Sequence, residues 1–309
     1  MEVVKLLINQ IIVMFLYMIF GFVLFNGKKI SKEGSANMAT LLVWLIIPVV
    51  VVKSFCVEPT RERVVGLGLS VVAALAAQGI SMLVSHLFFK KHPIDNFAAA
   101  FSNAGFIGIP LVSATVGGDA VFYIAFFVAL LNILQWVYGV AVITQKKMTM
   151  NVSTLIHPLI LGLVLGLILF FTGLGAKLPT TVMTTLSGIS ALNAPLAMLI
   201  MGVYLAQADL KSLWTDKRLY ILSLVRLVLI PLLTVALFWV LQLLIPGMHS
   251  TMLLALLISA IAPVGANVAV YAQLHSKDYV YASKTVVIST LLSLVSMPVV
   301  VLLAQYLLG

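Results

Sequence analysis

The sequence predicts an all-α polytopic membrane protein of about ten transmembrane helices, built as two inverted five-helix repeats, and three observations predict it. Of the 309 residues, 62% are hydrophobic and only 9% charged, against roughly 25% charged in soluble domains, so water is not the main solvent of this chain. Apolar runs of about 20 residues, enough to cross a hydrocarbon core, recur from Val3 to Leu308 with only short polar breaks. Two of these runs, in corresponding places of the two halves, are interrupted by glycine and proline.

The spans fall near 3–25, 35–57, 64–89, 97–116, 119–144, 152–173, 183–207, 220–244, 250–272 and 280–308. Met1 to Phe25 lacks a strongly basic start and a small-residue cleavage site, and its apolar run exceeds a signal-peptide core, so it reads as a retained first helix. Span two carries Pro48 and ends in the charged hinge Glu58 to Arg63; span seven carries Pro195 and ends in the hinge Asp209 to Arg218. Spans four and nine are the broken ones. Gly162 and Gly166 form a GxxxG pair in span six, which lets two helices pack closely. Pro231 in span eight and Pro298 in span ten read as kinks in packed helices.

Charge sets the orientation. Odd-numbered connections hold eleven basic residues (Lys28, Lys29, Lys32, Lys90, Lys91, Lys146, Lys147, Lys211, Lys217, Arg218 and Lys277) against four, Lys5, Arg61, Arg63 and Lys177, in the even connections and the termini. Short basic loops stay cytoplasmic, so both termini are expected on the non-cytoplasmic side of a cell membrane, the inner membrane in a bacterium. A division near Lys146/Lys147 gives repeats at 1–145 and 152–309. Five helices in each half force the second to enter the bilayer upside down.

The first interruption is Ser102-Asn103-Ala104-Gly105-Phe106-Ile107-Gly108-Ile109-Pro110 and the second Ala262-Pro263-Val264-Gly265-Ala266-Asn267, followed by Tyr271 and Gln273. Unpaired backbone groups cannot face lipid, so both breaks are buried in protein or line a watered cavity. Paired broken spans point to the binding site of a secondary transporter, and half-helix N-termini offer N–H groups and positive dipole ends that suit an anion.

Arg226 lies roughly 12 Å beyond the basic cluster at Lys217/Arg218, counting ~1.5 Å per residue, hence near the midplane. No Asp or Glu falls near the middle of any span to partner it, so three readings stay open: a substrate carboxylate, loose carbonyls at the breaks, or snorkelling to the interface. Lys53 and Lys284 lie nearer helix ends, where snorkelling accounts for them. Gln78, Asn132, Gln135 and Asn193 read either as contacts to substrate or a cation, or as interhelical glue. Asp119 reads as a helix cap or as a proton or ion site.

Other classes find little support. Cys56 is the one cysteine and the five histidines show no ligand spacing, so no metal is expected. The net charge of +9 is dispersed at span ends, which argues against nucleic acid. HExxH, GxSxG and Walker loops are absent, so an intramembrane enzyme or assembly factor would need a reactive cluster that the sequence does not show. No cofactor is expected beyond a coupling sodium ion or proton, which leaves open a coupled symporter of another small solute.

At the stretches SNAGFIGIPL (Ser102 to Leu111), LIIP (Leu45 to Pro48), NAPLAMLIMG (Asn193 to Gly202) and APVGANVAVYAQ (Ala262 to Gln273), the sequence resembles the auxin efflux carrier family, whose bacterial members include malate or malonate permeases. The resemblance runs over essentially the full length and implies helices four and nine crossing at their breaks, in a fold similar to that of bile acid and sodium symporters. It implies a scaffold or dimerising unit of 3–57 and 152–207 against a transport unit of 64–144 and 220–308, a homodimer, and an organic anion bound beside the crossover and moved by alternating access. Pro110 and Pro263 look like the crossover prolines, Asn103 and Asn267 like substrate-contacting amides. The connection from Lys146 to Val152 lacks the long insert of plant members, so the chain resembles the bacterial permeases.

Overall fold

The structure, a computed structural model, describes residues 2–148, 156–207, 213 and 215–308, and these are almost wholly helical. In chain order the helices are α1 (Glu2–Asn26), α2 (Lys32–Ser54), α3 (Arg61–Phe89), α4 (Pro93–Ala100), α5 (Ala104–Thr115), α6 (Gly118–Thr144), α7 (Pro158–Phe171), α8 (Thr180–Gln207), α9 (Lys217–Leu244), α10 (Ser250–Ala260), α11 (Asn267–Leu274) and α12 (Tyr279–Leu308). Seven are long and apolar enough to cross a bilayer unaided: the segment Val4–Asn26 of α1, then α2, α3, α6, α8, α9 and α12. Helix is present at each of the ten predicted apolar runs, and runs four and nine are each split into two pieces. Val152, Asp209 and Lys211, which mark the predicted repeat boundary and the second hinge, lie outside the described residues.

Helix starts follow from local chemistry. Ser31 Oγ, Thr60 Oγ1 and Asp216 Oδ1 accept the amides of Gly34, Arg63 and Arg218, so α2, α3 and α9 begin with a side chain satisfying an otherwise orphaned donor. Pro93 and Pro158 open α4 and α7, where a missing N–H costs nothing.

Three of the prolines inside spans, Pro48, Pro110 and Pro231, follow a wider turn, whereas Pro298 sits within one continuous α-helix. A π-helical turn spans Leu42–Ile46 before Pro48, Ala104–Gly108 before Pro110, and Val225–Leu229 before Pro231. A proline ring clashes with the carbonyl four residues back, and one extra residue in the turn moves that carbonyl aside. A fourth such turn, Gln135–Gly139, carries no proline.

Small residues let backbones approach, the main source of helix affinity where lipid is as apolar as the side chains. The expected GxxxG pair packs α7 on α2: a methyl on Gly162 would lie 3.1 Å from the Pro48 carbonyl, and one on Gly166 2.7 Å from the Phe55 ring. Along α1 and α8, Gly21 meets the Leu199 backbone and Gly202 the Met18 backbone.

Candidate functional site: the crossover of two broken helices

Both breaks are full interruptions, and they meet. After α4 the chain turns extended at Phe101 (φ −120°, ψ 120°), and after α10 it runs irregularly to Ala266. Asn103 donates its N–H to the Pro263 carbonyl (2.8 Å) and Gly265 donates to the Phe101 carbonyl (3.1 Å), forming an antiparallel bridge between Ser102 and Val264. Val264 donates to Ser289 Oγ on α12 (3.1 Å). Gly265 is required by proximity, because a Cβ there would sit 3.1 Å from the Ser102 carbonyl oxygen; Gly108 likewise faces Ser259 Cα at 3.1 Å. Pro263 therefore lies inside its break, whereas Pro110 lies beyond its own, in the first α-helical turn after the wide one.

The four half-helix ends at this point are treated differently. The carbonyl ends of α4 and α10 are closed off by donors. Arg226, 0% exposed, donates from Nη1 to the Ala99 carbonyl (3.1 Å), from Nη2 to those of Ala260 (2.5 Å) and Ala262 (2.8 Å), and from Nε again to Ala262 (3.2 Å). Gln78 Nε2 donates to the Ala100 carbonyl (3.2 Å). Arg226 thus bonds the loose carbonyls at the breaks, one of the three readings open for it. The amide ends of α5 and α11 instead open on one cavity of about 170 Å³, bordered by Asn103, Gly105 and Phe106 from one and by Gly265, Ala266 and Asn267 from the other. The first amides of a helix have no intrahelical acceptor.

Around that cavity Asn267 Nδ2 donates to Gln135 Oε1 (2.7 Å), and Gln135 sits in the proline-free π turn of α6. Asn132 also borders it while donating to the Val128 carbonyl of its own helix (2.8 Å). Tyr271 packs between Phe97, tilted against it, and Trp136, edge-on to it, with ring centroids at 5.3 and 5.1 Å. Asn103 Nδ2 and Ser102 Oγ are buried with no hydrogen-bond partner. Each is a donor left over beside the two helix starts.

The remaining expected residues go elsewhere. Pro110, Asp119 and Asn193 border a second cavity of about 310 Å³ at the other end of α5. Asp119 caps nothing, which corrects one of its two readings: its side chain is 86% exposed and faces Arg63 at 4.0 Å. Gln78 and Gly108 serve the packing of the breaks, and Gln273 is exposed and borders neither cavity.

Three residues escaped sequence reasoning. Trp136 and His157 border the first cavity, His157 accepting the Leu159 amide at the start of α7. Asp95, two residues before the predicted start of span four, is fully buried in the first turn of α4, bonded to Arg218 Nε (2.5 Å) and to the Tyr281 hydroxyl (2.8 Å), with the Arg218 guanidinium over the Tyr281 ring. Among the described residues no cluster of His, Cys, Asp or Glu has metal-binding geometry.

Long apolar helices carrying buried polar groups around a broken-helix crossover define an integral membrane protein with a solute-sized cavity beside the crossover. The sequence pattern of a family described as membrane transport protein matches residues 6–154 and 147–301. The chain belongs to that family, the auxin efflux carrier type of membrane transporter. No curated protein matches the chain.

Proposed function

We propose that this transporter carries small organic anions, mono- or dicarboxylates of the malate or malonate kind, by alternating access, and binds them in the cavity beside the crossover. One observation carries the reading: the amide starts of α5 and α11 open on the same cavity, while the carbonyl ends of α4 and α10 are occupied by Arg226 and Gln78. A negative guest gains from both dipole ends and from unsatisfied N–H groups. Asn103, with a spare buried amide, and Asn267, held by Gln135, stand beside both helix starts to bind carboxylate oxygens. A volume of about 170 Å³ has room for several waters and suits a solute of a few carbons.

Further parts of the proposal are ten spans in two inverted five-helix repeats, a scaffold of α1, α2, α7 and α8 against a moving remainder, a homodimer, and both termini outside the cell membrane. The packing of α7 on α2 and of α1 on α8 supports the scaffold grouping.

The test is uptake of labelled malonate and malate into proteoliposomes. Saturable uptake with counterflow is expected, weakened in Asn103→Ala and in Asn267→Ala and lost when the two are combined. Conductance without counterflow, or uptake indifferent to both substitutions, overturns the reading.

A further inference from the structure

The second cavity has the makings of a site of its own. It lies between α1, α2, α5, the start of α6, and α8, and among the described residues Lys53 is the one basic residue on its wall. Lys53 is half-buried at the last turn of α2, and no carboxylate approaches its ammonium within 4.0 Å among the described residues. Asn193, 3% exposed, borders the same space with both Oδ1 and Nδ2 lacking any partner, and Ser190 Oγ beside it is equally unpaired. Buried amides without partners are uncommon, and one that shares a cavity wall with a lysine marks a place where a ligand completes the hydrogen bonds. The carboxylate on this wall, Asp119, is turned to solvent and to Arg63.

The position relates this cavity to the first. Ile47 of α2 borders the crossover cavity and Val50 the Lys53 cavity; Phe106 and Ile109 of α5 divide in the same way. Three residues of helix, about 4.5 Å of rise, separate the two walls on each element. The barrier between the cavities is thus one helical turn thick on both sides.

Resting on the proposed anion transport, we infer that the Lys53–Asn193 cavity is a second carboxylate site on the far side of the crossover. Lys53 supplies the charge, Asn193 Nδ2 and Ser190 Oγ supply donors, and the substrate occupies this site after passing the barrier of Ile47, Val50, Phe106 and Ile109.

The experiment measures malonate binding by calorimetry to the purified full-length protein in an Asn103→Ala/Asn267→Ala background, where the crossover site is disabled. Binding is expected to persist there, to weaken about tenfold or more on Lys53→Met, to weaken similarly on Asn193→Asp, and to return on Lys53→Arg, which also shows that a change at this position folds. No binding in that background, or binding indifferent to Lys53→Met, overturns the second site. Wild-type uptake indifferent to Asn103→Ala and Asn267→Ala overturns the crossover reading instead, so the two fail separately.

Discussion

Arg226 grips the Ala262 carbonyl with two nitrogens, Nε at 3.2 Å and Nη2 at 2.8 Å, and through its other contacts joins the ends of α4 and α10. A single side chain from α9 thereby holds both broken helices at the crossover. Arg226→Ala leaves three carbonyls unpaired in a dry interior, and the expected loss of stability is about 3–5 kcal/mol. Thermal unfolding in detergent checks this. Arg226→Lys, with fewer donors and no planar fork, should fall between wild type and alanine, and uptake should follow the same order.

Asn267 and Gln135 share a 2.7 Å hydrogen bond at the cavity edge. Each alanine substitution should raise the KM for malonate about tenfold, and Asn267→Asp should raise it further by placing a negative charge where the substrate binds. The double alanine variant should lose less than the sum of the singles, because one bond is removed in both; a double-mutant cycle on KM reads this directly.

Gly265 has no room for a side chain, since a Cβ would lie 3.1 Å from the Ser102 carbonyl. Gly265→Val should force the bridge between Ser102 and Val264 apart and abolish uptake, at a cost of about 1–3 kcal/mol in stability. Gly188, with nothing within 4 Å of an added Cβ, should accept alanine without effect on either measurement.

Asp95→Asn removes the charge that Arg218 and Tyr281 share. Arg218 is 42% exposed and turns to water when released, so the expected loss is only about 1–3 kcal/mol. Unfolding of Asp95→Asn and of Asp95→Asn/Arg218→Gln should then differ little.

The helical spans were legible because hydrocarbon imposes a length: each apolar run found in the sequence holds helix, to within a few residues at most ends. The breaks were legible because Gly265 and Pro263 have few other uses in a buried helix. What stayed hidden is long-range. Asp95 bonds partners 123 and 186 residues away, and its place just before an apolar run made it look like part of a polar connection. The partners of Arg226 are main-chain carbonyls, which carry no sequence signature. That Asn103 and Pro110 serve different cavities follows from the direction of α5, which spacing alone does not reveal.

The wide turn at Val225–Leu229 gives α9 a tolerance that an ordinary helix lacks. A π turn holds one residue more than the α-helix it interrupts, so excising a single leucine or valine here would let the turn close while the segments on either side keep their facing; the same excision in a regular stretch would swing one side through about 100°. The closed turn would bring the Pro231 ring back against the carbonyl four residues before it. In this molecule the irregularity is where a rigid ring is given room, and a neater helix would be a more strained one.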